Sequence, residues 1–207
     1  MIKIHHLNES RSQRILWLLE ELGTAYEVVK YQREATRLAP PELKHVHPLG
    51  KSPVIEDGAV TLAESGAIVE YLIATYGDGR FGPAPGTPAW PAYSQWLHYA
   101  EGSAMLPLLL NMYVSRLPDK GEALQPRIQS EIKNHLGYLA AELGDRAFLV
   151  GDDLTGADVQ ISFVCECARA MRKLEAYPTL SAYLDRLHGR PAWQRALERG
   201  GPYLLGA

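Results

Sequence analysis

The order of strand and helix patterns in the first 76 residues constrains the fold most. The order is a strand at 2–7, a helix at 12–22, a strand at 26–31, a short helix at 40–47, two short strands within 52–64 and a helix at 65–76. Asp57 and Gly58, between the two short strands, are typical of a hairpin turn. The opening strand, helix and strand imply a parallel pair with a right-handed crossover, so we expect a small mixed sheet covered by helices.

A break in composition follows this segment. Residues 77–91, GDGRFGPAPGTPAWP, are rich in glycine and proline, which is typical of a linker or long loop. The patterns after the break are all helical, at 89–116, 122–143, 155–174, 178–188 and 191–199, and Pro107 is expected to kink the first of them. We therefore predict an α/β thioredoxin-like domain at 1–78, a linker at 79–88 and an all-α helical bundle at 89–207.

The composition excludes several classes of protein. The 207 residues carry a formal net charge of −3, so no overall basic field favours nucleic acid or an anionic membrane. No apolar run approaches the length of a membrane span, and the N-terminus lacks the apolar core of a signal peptide. Cys165 and Cys167 lie two apart on one predicted helix, where they cannot readily bridge and lack metal-site spacing. We expect buried thiols, no metal and a cytoplasmic location.

Polar side chains crowd the joint between the first strand and the first helix. The cluster, within HHLNESRSQRILWLLEEL, comprises Ser10, Arg11, Ser12 and Arg14. A helix N-terminus offers free N–H groups and partial positive charge, and the Ser10 hydroxyl could donate a hydrogen bond to a group bound there. On this stretch alone, a helix cap at Ser10 or Ser12 is the simpler explanation. A salt bridge to Glu20, Glu21 or another surface acid explains Arg14 equally well.

A second joint lies in HPLGKSPVI, residues 47–55. Pro53 directly precedes an apolar strand, and a cis Ser52–Pro53 bond would turn the backbone of Ser52 outward to pair with an extended ligand. An edge strand that simply begins at a proline explains the same residues about as well. Lys51 is either a cation of this site or an ordinary surface lysine.

A third joint lies in LAESGAIVEYL, residues 62–72. Ser65 stands at the start of a predicted helix, where its hydroxyl and the first N–H groups suit a carboxylate. Glu64 beside it could accept from an ammonium group, so the pair matches the two charges of an α-amino acid. A helix cap beside a solvated acid is the alternative.

Together these three joints resemble the glutathione S-transferase superfamily, over essentially the whole chain. The resemblance extends to DDLTGADVQIS, residues 152–162, where Thr155 and Asp158 have nearly the spacing of a capping box and Leu154 and Val159 that of a hydrophobic staple. The first two joints are similar to a bacterial and fungal branch with the motifs SRxxR and HPLG[KR]SP.

The resemblance implies a role for each joint in binding glutathione. Ser10 would hydrogen-bond the sulfur, and the backbone of Ser52, before the cis proline Pro53, would pair with the cysteinyl part. Glu64 and Ser65 would hold the γ-glutamyl head. Lys51 would help to hold the glycyl end. Arg11 and Arg14 could support the site. Met105, Leu108, Met112 and Tyr113 could line an acceptor pocket, although a stripe of this kind is more often core.

The implied function is a glutathione transferase that takes glutathione as co-substrate, stabilises its thiolate and conjugates it to a hydrophobic electrophile. A glutathione-dependent peroxidase or isomerase on the same site stays open, and so does a non-catalytic module that binds ligands or a protein. His5 and His6 stand where some classes of the superfamily carry a catalytic tyrosine, which argues against tyrosine-type chemistry. No cysteine precedes Cys165, so the thiol transfer of cysteine-type members is not assigned to this chain. The resemblance also implies a homodimer, through residues 64–76 and 89–105.

Overall fold

The computed structural model describes residues 1–206 and divides into two compact units. The first unit comprises Met1–Pro83 together with the segment that begins at Arg186, and the second comprises Ala84–Asp185. The sequence prediction assigned the whole of 89–207 to one helical domain. The structure groups the C-terminal segment with the first unit because the last helix packs on the first helix.

The first unit contains the mixed four-stranded sheet that the sequence predicts. Its strands are β1 (Ile2–Leu7), β2 (Tyr26–Tyr31), β3 (Val54–Asp57) and β4 (Val60–Ala63), in the spatial order β2-β1-β3-β4. β1 pairs in parallel with β2 and antiparallel with β3, and β4 completes the hairpin. The predicted turn was one residue early: Gly58 and Ala59 connect the strands, and Gly58 has φ +59°. A two-residue hairpin turn favours glycine at such an angle.

Helix α1 (Ser12–Leu22) is buried on nearly all sides. Its apolar residues Ile15, Leu16, Leu18 and Leu19 have no exposed surface. Gly23 ends the helix at φ +69°, and its N–H donates to the Leu19 carbonyl, as expected for a helix-terminating glycine. The other helices of the 1–83 segment are α2 (Leu43–Val46) and α3 (Ser65–Tyr76).

The last helix, α9 (Pro191–Gly200), packs against α1 through aromatic and charged contacts. The rings of Trp17 and Trp193 meet edge to face with centroids 5.5 Å apart. Arg190 donates two hydrogen bonds to Glu21, at 2.6 and 2.9 Å, so a bidentate ion pair fixes the start of α9. Helix α1 is therefore covered by α9 as well as by the sheet.

The second unit is helical throughout its described elements. They are α4 (Trp90–Tyr99), a π-helical turn (Ala100–Ala104), α5 (Met105–Val114), α6 (Gln125–Leu143), α7 (Gly156–Ala170) and most of α8 (Pro178–His188). The π-helical turn ends three residues before Pro107, which has no N–H for the carbonyl of Ser103. No helix within residues 1–206 is long and apolar enough to cross a membrane.

The capping box of α7 is confirmed. The Thr155 side chain caps the helix, and the Asp158 carboxylate accepts from the Thr155 N–H at 2.8 Å and its hydroxyl at 3.0 Å. The other carboxylate oxygen accepts from the Leu149 N–H at 2.9 Å and the Tyr183 hydroxyl at 2.8 Å. Although burial raises the pKa of Asp158, its four hydrogen bonds favour the charged form. The box therefore fixes the start of α7 to Leu149 and to Tyr183.

Candidate active site

Leu7, the last residue of β1, connects the first two of the predicted joints. The Ser10 hydroxyl donates to the Leu7 carbonyl at 2.8 Å, and the Leu7 N–H donates to Ser52 Oγ at 3.2 Å. The Ser52 hydroxyl also donates to the His5 carbonyl at 2.8 Å. Two serines far apart in the chain are thus held at the carboxyl end of the central strand, where ligands commonly bind in α/β folds.

Ser10 is buried and closes the turn that leads into α1. Its Oγ lies 2.8 Å from Ser12 Oγ and accepts from the Ser12 N–H at 3.2 Å, while its carbonyl accepts from the Gln13 N–H at 3.1 Å. A serine hydroxyl has one proton, and Leu7 O and Ser12 Oγ both lie within reach of it. Donation to a bound sulfur would therefore replace an existing hydrogen bond.

The expectation that Ser12 caps α1 is wrong. Arg11 occupies the N-cap position without a side-chain cap, and Ser12 is the first helical residue. The Ser12 hydroxyl turns inward, where it lies 2.8 Å from His6 Nδ1 and also accepts from the Leu7 N–H at 3.2 Å. It does not cap because these groups on β1 already engage it. Arg11 itself is half-buried at the entry to the helix.

His6 is a site residue that the sequence reasoning did not identify. It lies beside Ser12, and burial, followed by the charge of Lys30, lowers the pKa of His6 to about 4. The sequence contained a usable indication, because alternation along β1 places His6 on the same face as Ile2 and Ile4, which are fully buried. A histidine in an inward apolar series needs polar partners.

The second joint has the predicted backbone geometry. The Ser52–Pro53 bond is cis, as expected. β3 begins at Val54, which pairs with His5, so Ser52 lies just beyond the ladder between β1 and β3. Pro53 is buried, whereas Lys51 is exposed beside it.

The third joint combines a strained backbone with a buried cation. Glu64 is exposed with φ +68°, a region that costs a residue with a side chain roughly 1–3 kcal/mol. Ser65 follows it as the first residue of α3 and is buried. Its Oγ accepts from Arg14 Nη2 at 2.6 Å, so the Ser65 proton can still be donated to a ligand.

Arg14 is buried in the interior of the first unit and contacts Ser65. Its side chain is 1% exposed, and it joins α1 to the start of α3 through Ser65. Of the acids named as alternatives, Glu20 pairs with Arg195 of α9, and Glu21 pairs with Arg190 at the N-cap of that helix. Together Arg14, Ser65 and the N-terminus of α3 form a positive site suited to a carboxylate.

The four predicted acceptor residues lie in different environments of α5. Met105 and Leu108 are buried in the second unit, Met112 is half-buried and Tyr113 is exposed. The sequence analysis did not select the other large apolar side chains that α5 exposes, Leu106 and Leu110. Leu110 and Tyr113 follow Leu106 by four and seven residues, so the three side chains share one face of α5.

The described cysteines take no part in these groups. Cys165 and Cys167 are buried and form no disulfide, and burial raises the pKa of the Cys165 thiol. Among residues 1–206, no group of three or more His, Cys, Asp and Glu side chains could hold a metal ion.

The fold and these joints together define a thioredoxin-like domain with a helical partner domain, and family comparisons agree. The model of the glutathione S-transferase N-terminal domain matches residues 1–74, and that of the C-terminal domain matches residues 90–191. The chain therefore belongs to the glutathione S-transferase family.

Individual relatives match over nearly the full length. Glutathione S-transferase 1 of Saccharomyces cerevisiae is 31% identical over 96% of this chain and 95% of its own, and glutathione S-transferase 3 of Schizosaccharomyces pombe is 34% identical over 96% and 88%. A crystal structure of a glutathione S-transferase from Actinobacillus pleuropneumoniae is 37% identical, with a TM-score of 0.90 over 99% of this chain and 95% of that one. A glutathione transferase homologue from Lodderomyces elongisporus, solved with two glutathione molecules per subunit, is 25% identical with a TM-score of 0.81, over 95% and 97%.

Proposed function

We propose that the protein is a glutathione transferase that binds glutathione, stabilises its thiolate and conjugates it to a hydrophobic electrophile. The observation that carries the proposal is the grouping of Ser10 and Ser52 at Leu7, with Arg14 of α1 bonded to Ser65 at the start of α3. The glutathione-bound relative from Lodderomyces elongisporus supports the ligand.

Each joint suits one part of the tripeptide. Ser65, backed by Arg14, would bind the γ-glutamyl carboxylate, and the exposed Glu64 would accept from the ammonium group. The backbone of Ser52, beside the cis bond, would pair with the cysteinyl residue as an additional strand. Lys51 would attract the glycyl carboxylate. The cysteinyl sulfur would then lie near Ser10.

Ser10 and α1 supply enough free energy to lower the thiol pKa appreciably. A free thiol has a pKa of about 8.5, and each unit of decrease requires about 1.4 kcal/mol. A hydrogen bond to a charged acceptor contributes roughly 1.5–3 kcal/mol, but Ser10 gives up a neutral bond of roughly 0.5–1.5 kcal/mol. The net gain of about 1 kcal/mol adds to about 0.3–1 kcal/mol from the helix N-terminus. We expect a bound thiol with a pKa about 1–1.5 units below its free value.

A Ser10→Ala variant tests the proposal. The thiolate absorbance of bound glutathione is titrated against pH, and conjugation to chlorodinitrobenzene is measured at neutral pH. Losing about 1–1.5 kcal/mol should raise the thiol pKa by about one unit and reduce conjugation up to about tenfold, with glutathione affinity nearly unchanged. Ser115→Ala, which removes an exposed hydroxyl bonded only to a local carbonyl, is the control. Full conjugation activity with intact glutathione binding would show that Ser10 is not the donor.

Assays of the unmodified protein distinguish the three alternative functions, which are a peroxidase, an isomerase and a non-catalytic binding module. Hydroperoxides and cis-enone acids, supplied with glutathione, measure peroxidase and isomerase activity on the same thiolate. A protein that a glutathione matrix does not retain, and that shows no heat of glutathione binding, would instead be a binding module. The exposed apolar residues of α5, such as Leu110 and Tyr113, support a hydrophobic acceptor.

We also propose that the protein acts in the cytoplasm as a homodimer, through residues 64–76 and 89–105. The proposal rests on the family resemblance. Sedimentation at micromolar concentration tests it, and a monomer at that concentration would contradict it.

A further inference from the structure

A line of hydrogen bonds connects the last helix to the site serine. The His6 ring bonds to the backbone of Gly200 at the end of α9, and its Nδ1 lies 2.8 Å from Ser12 Oγ. Ser12 Oγ lies 2.8 Å from Ser10 Oγ. The nitrogen that faces Gly200 is Nε2, because a methyl group added to Gly200 would lie 3.4 Å from it. All four residues belong to the first unit.

The bond at Gly200 determines the directions of the protons along this line. The carbonyl of Gly200 can only accept, so Nε2 carries the proton of the neutral ring and Nδ1 is an acceptor. The Ser12 hydroxyl must then donate to Nδ1, which leaves its oxygen lone pairs for other donors. The Leu7 N–H, at 3.2 Å, takes one of them and the Ser10 hydroxyl can take the other. Ser12 therefore does not compete with Ser10 for a proton acceptor.

The surroundings of His6 keep its ring neutral. Its side chain is buried, Lys30 stands opposite it on β2, and the buried Gln13 amide lies on the α9 side, close to Gly200. No carboxylate lies among the groups described around the ring. His6 consequently stays in one tautomer and does not act as a base at neutral pH.

We propose that His6, acting through Ser12, is a positioning residue that sets the direction of the Ser10 hydroxyl. The inference rests on the proposed function, in which that hydroxyl donates to the glutathione sulfur. Without an acceptor at residue 6, the Ser12 proton turns to Leu7 O, which is also the acceptor of the Ser10 hydroxyl, or to Ser10 Oγ itself. The Ser10 hydroxyl then loses its preferred orientation, and a bound thiolate is stabilised less.

The test compares two substitutions at His6 with opposite expectations. His6→Leu removes the acceptor and should raise the pKa of the bound glutathione thiol by about 0.5–1 unit, with kcat at neutral pH falling and the glutathione Kd unchanged. His6→Asn places an amide oxygen near the position of Nδ1, so it should restore most of the wild-type thiol pKa. Ser12→Ala breaks the same line and should shift the pKa as His6→Leu does, which keeps the test decisive if His6→Leu does not fold.

Two further variants separate positioning from stability and from the proposed function. His188→Leu removes another buried histidine of the first unit, stacked on Trp193, and should lower the melting temperature without moving the thiol pKa. In a Ser10→Ala background, His6→Leu should cause no additional shift. A Ser10→Ala protein with the wild-type thiol pKa would overturn the proposed donor. If Ser10→Ala shifts the pKa and neither His6→Leu nor Ser12→Ala does, the positioning role is refuted and the proposed function survives.

Discussion

Replacing Arg14 by methionine should weaken glutathione binding selectively at the γ-glutamyl carboxylate. Arg14 is buried, and its Nη2 lies 2.6 Å from Ser65 Oγ. A carboxylate that accepts from the Ser65 hydroxyl at ~2.7 Å would lie ~5 Å from the guanidinium. Two unit charges at that separation interact by about 3 kcal/mol at an effective dielectric of about 20, and by about half of that in a better-solvated site. We therefore expect Arg14→Met to raise the glutathione Kd about ten- to hundredfold.

The assay is calorimetric titration with glutathione and with an analogue that lacks the γ-glutamyl carboxylate. The analogue should bind the variant and the wild-type protein with similar affinity, because the charge that Arg14 stabilises is missing. Arg195→Met is the matched control, since it removes a cation from the same unit at a surface ion pair with Glu20. In the Arg14→Met variant, methionine fills a volume similar to that of arginine and carries no charge to desolvate. The free energy of unfolding of this variant should therefore change little. Equal losses of affinity for both ligands would refute the electrostatic reasoning.

Three further predictions concern stability. Asp158→Asn turns an amide N–H₂ toward two of the donors that the carboxylate accepts from, so it should lower the free energy of unfolding by about 2–4 kcal/mol. Urea unfolding measures this loss, and Asp153→Asn, at an exposed position, is the control that should show none. Gly200→Ala places a methyl group 2.7 Å from a buried amide oxygen on α1 and should cost about 1 kcal/mol, while Gly102→Ala meets nothing and serves as its control. Because burial lowers the pKa of His6 to about 4 from its ordinary 6.5, only the unfolded chain binds that proton between these values. The free energy of unfolding should therefore fall from pH 6.5 to pH 4, and the His6→Asn variant should lose up to about 3 kcal/mol less over this range. If the urea midpoints of the wild-type protein and the variant shift equally with pH, the prediction is wrong.

Local patterns were sufficient where a residue's neighbours in the chain decide its conformation. The bounds of β1, α1, β2 and α3 follow from apolar periodicity, and Gly23 ends α1 for a local steric reason. The capping box of α7 is likewise a contact between residues three apart, Thr155 and Asp158. The hairpin turn was misplaced by one residue because an Asp-Gly pair does not specify which of its residues belongs to the strand.

The site required contacts between distant residues, and there the sequence left two explanations for each side chain. Arg14 was as well explained by an acid on α1 as by the site, and only the packing of α1 against α3 directs it to Ser65. Ser12 was a reasonable cap until β1 brought the His6 ring to its hydroxyl. A polar side chain takes the partner that burial provides, and burial depends on the whole fold.

By itself, the sequence determined the elements of the first 76 residues and the helical character of the remainder, because periodicity and turn chemistry act over a few residues. It also supplied the set of serines, acid and cis proline on which the family resemblance rests. The tertiary structure decided which groups the hydroxyls of Ser10, Ser12 and Ser65 contact. It buried Arg14 beside Ser65 and brought Gly200, 194 positions along the chain from His6, to the ring that contacts Ser12. Such contacts join separate elements, and their geometry follows from how β1, α1 and α9 pack around one core.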